Sequence, residues 1–120
     1  MAAQPGPKLI GLEQAPKSAI EDDGASGVTG MPLLGLEEGT GQFDFRAVAI
    51  APGGVSADHS HPWEQANYIL RGKGRVHLDG VEHEVAADDF VYVPPNVRHV
   101  FTNDGDVDLV LLAARGARDE

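Results

Sequence analysis

Residues 53–72 read GGVSADHSHPWEQANYILRG. His59 and His61 alternate with Ser60, and in a β-strand residues i and i+2 point to the same face. Their imidazoles therefore converge, as two ligands of one metal must. Gln65 follows with matching parity, although Pro62 interrupts strict alternation, and its side-chain carbonyl completes a facial set. Glu64, one position earlier, competes for that ligand place. Asn67–Arg71 reads as a strand ended by Gly72-Lys73-Gly74. Further on, residues 88–103 read DDFVYVPPNVRHVFTN. Pro94-Pro95-Asn96 is a turn run that launches a strand on which Val97, His99, Phe101 and Asn103 share a face. One inward histidine among apolar inward neighbours describes a ligand in the mouth of a barrel.

The rest of the chain fits that setting. Its 120 residues make one domain, and the absence of cysteine removes disulfides, thiolate metal sites and cysteine nucleophiles. A net charge of −10 disfavours nucleic acid and anionic membranes as partners. No apolar run approaches the roughly 20 residues of a spanning helix. The start of the chain lacks a basic stretch followed by an apolar one, so the expected location is the cytoplasm. With 15 Gly and 8 Pro, apolar segments are short and helical periodicity is hard to find after residue 40, which predicts an all-β domain. The expected strands are 32–36, 42–51, 67–71, 75–78, 81–85, 90–93, 97–102 and 107–114. Asp79-Gly80 is a type I′ hairpin signal. Strands at this spacing with no helix between them suggest a small barrel or jelly roll. Residues 1–30, rich in Ala, Gly, Pro, Asp and Ser, read as an N-terminal arm lying across the 31–120 domain or swapped onto a partner. Leu9, Ile10 and Leu12 are expected to give that arm a strand.

The run Gly53-x5-His59-x-His61-x3-Gln65, closed by Gly72, resembles the first cupin motif. The run Asp88-x5-Pro94-x-Asn96-x2-His99-x3-Asn103 resembles the second. The resemblance covers about residues 43–113 and is similar to that of small single-domain cupins, jelly-roll β-barrels. The chain departs from the pattern where Gln65 replaces the usual glutamate, and where Asp88 and Asn96 replace glycines. Asn tolerates left-handed backbone, so Asn96 should still make its turn. The resemblance implies one divalent metal per chain held by His59, His61, Gln65 and His99, with two positions open. A sulfur-free set of imidazoles and oxygen suits Mn, Fe, Ni, Zn or Co, with Mn favoured. An amide in place of a carboxylate keeps the first shell neutral and the metal's full charge available to an anionic substrate.

Around that centre, Asn67 and Ile69 share parity with Gln65 and should line the pocket, and Phe101 should form its apolar wall. Arg46 sits mid-strand among Phe43, Phe45, Val48 and Ile50, where a charge needs a partner, and is a candidate anchor for a substrate carboxylate. Glu64 is the candidate general base. Tyr68 and Leu70 point away as packing residues, and His77 and His83 should face solvent or a subunit contact. The functional expectation is a metal-dependent enzyme acting on a small anionic or polyhydroxylated molecule, of isomerase or lyase, decarboxylase or dioxygenase type. The alternative is a non-catalytic cupin that binds a small molecule and whose metal is structural or anchors the ligand. A homodimer is expected, because small cupins commonly pair and edge strands need covering.

Overall fold

The computed structural model of the chain describes residues 6–35 and 41–117; residue 36, at the end of one expected strand, lies outside these. The described residues form two 3-10 turns, Leu12–Gln14 and Asp22–Gly24, and nine strands. These are β1 Ser18–Ile20, β2 Ser26–Leu34, β3 Phe43–Val55, β4 Gln65–Arg71, β5 Lys73–Leu78, β6 Val81–Ala86, β7 Phe90–Val93, β8 His99–Thr102 and β9 Leu109–Gly116. They pair in the order β6-β5-β8-β3-β9-β4-β7, with β2 added on β3 and β1 on β2. The result is the expected all-β barrel.

One long strand makes the sheet curl. Residues 43–50 of β3 pair with β9, whereas Val55 pairs with Thr102 of β8. Between them, Ala51–Gly54 drop out of the register with β2, where Val28 faces Ile50 and Ser26 faces Val55. A bulge of this kind re-aims a strand, so β3 passes from one layer to the other. Gly54 sits inside that corner, where a Cβ would stand 2.8 Å from the Ser26 carbonyl oxygen and 2.9 Å from that of Ala51.

The registers place inward side chains in rows. Asp44, Arg115, Gln65 and Val93 form one row across β3, β9, β4 and β7, and Arg46, Ala113, Asn67 and Val91 form the next. Val48, Leu111 and Ile69 follow, then Ile50 and Leu109. The interior thus grades from polar at one end to apolar at the other. The apolar rows pack against Val76, Val85 and Phe101 of the facing layer to make the core. Outward residues Met31 and Ala47 instead meet Ala15 and Leu12 of the N-terminal segment, which covers part of the sheet's outer face.

Several expectations need correction. Leu9 is fully exposed and Leu12 opens a 3-10 turn, so the arm's strand is not at 9–12; it is β1, which pairs with a β2 that the sequence reading placed partly in the arm. Tyr68 is exposed at 38% rather than packed. The turns behave as read: Asp79 and Gly80 both have positive φ, as do Asp88 at 77° and Asn96 at 68°.

Gly72 closes the first motif for a steric reason. Its φ is +88°, and a Cβ there would overlap the Asp108 carbonyl oxygen and stand 3.0 Å from the Leu109 Cα. Backbone cannot retreat cheaply, so Gly72→Ala is expected to destabilise the fold by about 2 kcal/mol or more. Urea unfolding checks this; a midpoint shift equivalent to less than about 0.5 kcal/mol would refute the steric account.

Candidate metal centre

The start of β8 and the connection between β3 and β4 bring the histidines together. His99 opens β8, and His59 lies beside it as an isolated bridge in which the His99 amide donates to the His59 carbonyl at 3.0 Å. His61 is tied to the second motif by the Asn96 amide, which donates to its carbonyl at 2.7 Å. The ring centroids lie 4.8–4.9 Å apart pairwise, and one ring nitrogen from each falls within 4.8 Å of the others. Among the described residues this is the only such group of histidine, aspartate and glutamate; His77 and His83, on the β5–β6 hairpin, stay outside it.

The outer nitrogens are already committed. The His61 Nδ1 bonds the Trp63 carbonyl at 2.8 Å, and the His99 Nδ1 bonds the Val97 carbonyl at 2.9 Å. A carbonyl only accepts, so each Nδ1 carries the proton and each Nε2 is left with its lone pair. The His59 Nδ1 lies 3.6 Å from the Asp23 carboxylate. This is the arrangement in which second-layer acceptors orient metal-binding imidazoles. Burial pushes His99 down to about 4, against the opposing pull of the Val97 hydrogen bond, and also lowers His61. Both rings are therefore neutral at neutral pH, the state a metal ligand requires. The buried His99 Nε2 has no hydrogen-bond partner. A buried lone pair facing two more imidazoles fits a divalent cation and little else.

The other proposed ligand and pocket residues are distributed unevenly. Gln65, 7% exposed, lines the same small cavity of about 40 Å³ as His59, His99, Arg46 and Phe101. Arg46 also borders a larger outer hollow beside Asp44 and Arg115, and so stands between the cavity and the outside. Asn67 is fully buried and bonds Gln65 and the Val91 carbonyl, behind the cavity rather than on its wall. Ile69 belongs to the apolar core. Glu64 is exposed, accepts the Tyr92 hydroxyl at 2.7 Å, and lies outside the imidazole group.

Three contributors escaped sequence reasoning. Asp23 reaches His59 from the N-terminal segment, held at φ 52° with its carbonyl accepting the Asp58 amide. Asp58 and Arg98, the residues just before His59 and His99, form a two-pronged pair at 2.7 Å that clips the two ligand segments together. Their exposure makes the pair worth little as a stabiliser. Buried Asp44 and Arg115 pair at 2.9 Å, with Arg115 close enough to His61 to help lower its basicity. Nothing in local sequence links these positions, which only the fold makes neighbours.

Trp63, the single tryptophan, stacks face to face on His61, with centroids 4.4 Å apart and planes 6° from parallel. Metal binding at His61 is therefore expected to change Trp63 emission in a manganese titration, with no such change in His99→Ala. Rising metal content with constant emission would place His61 outside the coordination sphere.

With this geometry, the match to known proteins is direct. Residues 46–115 match the family model described as the cupin domain, and the chain belongs to the cupin family. Among curated relatives, protein SchB of Streptomyces halstedii is 37% identical over 70 residues, which covers 57% of this chain and 51% of that protein. The chain thus matches about half the length of that relative. Among solved structures, the polyketide cyclase RemF of Streptomyces resistomycificus superposes with a TM-score of 0.86 at 21% identity, over 94% of this chain and 81% of that one. A predicted oxalate decarboxylase of Thermotoga maritima gives 0.84 at 24% identity, over 92% of this chain and all of that one. At such identities the two structures speak for the fold.

Proposed function

We propose that the chain is a metal-dependent enzyme acting on a small anionic or polyhydroxylated substrate, with one divalent metal held by His59, His61, Gln65 and His99. The observation that carries this reading is the convergence of three imidazoles whose outer nitrogens are already bonded or faced by acceptors. Bound there, the metal, manganese first among Mn, Fe, Ni, Zn and Co, would supply Lewis-acid polarisation of a substrate oxygen. Arg46 lines the cavity, and its guanidinium would pair with a substrate's negative charge. Val48, Phe101 and Leu111 add apolar lining to the same cavity, which would strengthen both electrostatic contacts. The reaction would be of isomerase or lyase, decarboxylase or dioxygenase type.

A second reading, a ligand-binding cupin without turnover, draws on one observation. Among the described residues no carboxylate joins the imidazole group, so the cavity lacks an evident general acid or base. Glu64 would have to turn inward to serve.

The test is metal content per chain by elemental mass spectrometry, followed by binding of small carboxylates to the loaded native protein and to Arg46→Ala. About one metal per chain, and anion binding weakened at least tenfold by Arg46→Ala, support the proposal. No metal after soaking overturns it, and metal with unchanged anion affinity removes Arg46 from the site. We further propose a cytoplasmic homodimer with residues 1–30 as the arm on a 31–120 barrel. Exposed Tyr68, Phe90 and Tyr92 on the outer face of β4 and β7 support a partner surface there.

A further inference from the structure

Two buried amides stand behind the imidazoles in single file. Asn67, with no exposed surface, is paired across the ladder with Val91, and its Nδ2 donates to the Val91 carbonyl at 3.2 Å. Gln65, on the same face of β4, donates from its Nε2 to the Asn67 Oδ1 at 2.8 Å. The far end of the Gln65 amide lies against His61.

The direction of this file is not arbitrary. A backbone carbonyl can only accept, so the Asn67 atom facing Val91 must be its nitrogen. That turns the Asn67 oxygen toward Gln65. An amide oxygen also only accepts, so Gln65 must present its nitrogen to Asn67, and its own oxygen is left facing the imidazoles. Amide orientation is normally ambiguous; here one backbone carbonyl fixes it through two links.

We propose that Asn67 is a positioning residue that holds the Gln65 carbonyl oxygen toward the imidazole cluster, and that the Val91–Asn67 file is what specifies glutamine rather than glutamate at this ligand position. This rests on the metal-binding reading above. A glutamate at 65 has no proton to give Asn67 at neutral pH, so it would set two buried acceptors against each other. Asn67 accordingly serves the site from behind, as a support for a ligand, and not as a contact for substrate.

A double-substitution cycle on the full chain tests this, with manganese alone as probe and affinity read by chelator competition. Asn67→Leu keeps the branched shape and removes the guide, so Gln65 can turn its nitrogen inward; affinity is expected to fall ten- to a hundredfold, the usual range for loss of an outer support. Adding Gln65→Glu to Asn67→Leu is expected to restore at least native affinity, because a carboxylate shows oxygen on both sides. Gln65→Glu alone should gain less than it gains in the Asn67→Leu background. Asn67→Ala should reproduce the pattern if leucine does not fit, and thermal unfolding of the metal-free forms confirms that each variant folds. Equal losses in both backgrounds, or no loss in Asn67→Leu, overturn the positioning role while leaving the metal centre intact. No manganese binding by the native chain overturns both.

Discussion

Replacing His99 with alanine is expected to abolish metal binding, with affinity lost by more than a hundredfold, while the barrel remains folded. His99 is 2% exposed and supplies one of the three clustered imidazoles, so its loss removes a ligand that no neighbouring described histidine, aspartate or glutamate replaces. Its effect on the metal-free protein should be small, because two contributions oppose. The ring's packing is lost, but so is a buried Nε2 that has no partner in the metal-free state, and such an orphan costs about 1–3 kcal/mol. The metal-free variant should therefore stay within about 2 kcal/mol of the native chain. The contrast appears when metal is added. Native protein at a thousandfold excess over Kd should gain about 4 kcal/mol, on the order of 10 °C or more in unfolding temperature. His99→Ala should gain none. An equal thermal shift in both proteins would place the metal elsewhere.

Removing Asp44 is expected to give the largest loss of stability among the polar substitutions. Its side chain is 5% exposed and meets Arg115, 23% exposed, through two hydrogen bonds of 2.9 Å. Breaking one side of a buried pair leaves an uncompensated charge, which costs about 3–5 kcal/mol; the partial exposure of Arg115 points to the lower end. Asp44→Ala should also weaken metal binding, because the freed guanidinium lies near His61 and would repel an incoming cation. Urea unfolding and manganese titration measure the two effects. Replacing both partners with apolar residues should recover most of the stability, since the cost lies in the orphaned charge. A loss below about 1 kcal/mol in Asp44→Ala would show that the pair is solvated in solution.

These two variants separate what sequence could and could not reveal. His59, His61 and His99 were legible through their spacing within the two motifs, although His59 is only an isolated bridge and His61 lies in the connection between β3 and β4 rather than on a strand. The turns at Asp79-Gly80 and Asn96 were legible because positive φ is restricted by residue type. Sequence thus determined an all-β chain, its hairpins and the three imidazoles.

The N-terminal strands were not legible, because their residues answer to a neighbour and not to strand propensity. Gly30 of β2 has the Ile20 side chain of β1 against it, where a Cβ would stand 2.8 Å from Cδ1. Gly27 faces the Gly54 Cα at 3.4 Å from its would-be Cβ. Close approach of this kind selects small residues that otherwise read as linker. The same holds for the polar partners. Asp23 meets His59, Asp44 meets Arg115 and Asn67 meets Val91 across long stretches of chain, and each pairing depends on the register of a barrel closed by the β3 corner. Hydrogen-bond partners at such separations carry no local signature. Sequence alone determined the imidazoles and most of the strands around them; tertiary structure decided which carboxylate, carbonyl and amide would meet them.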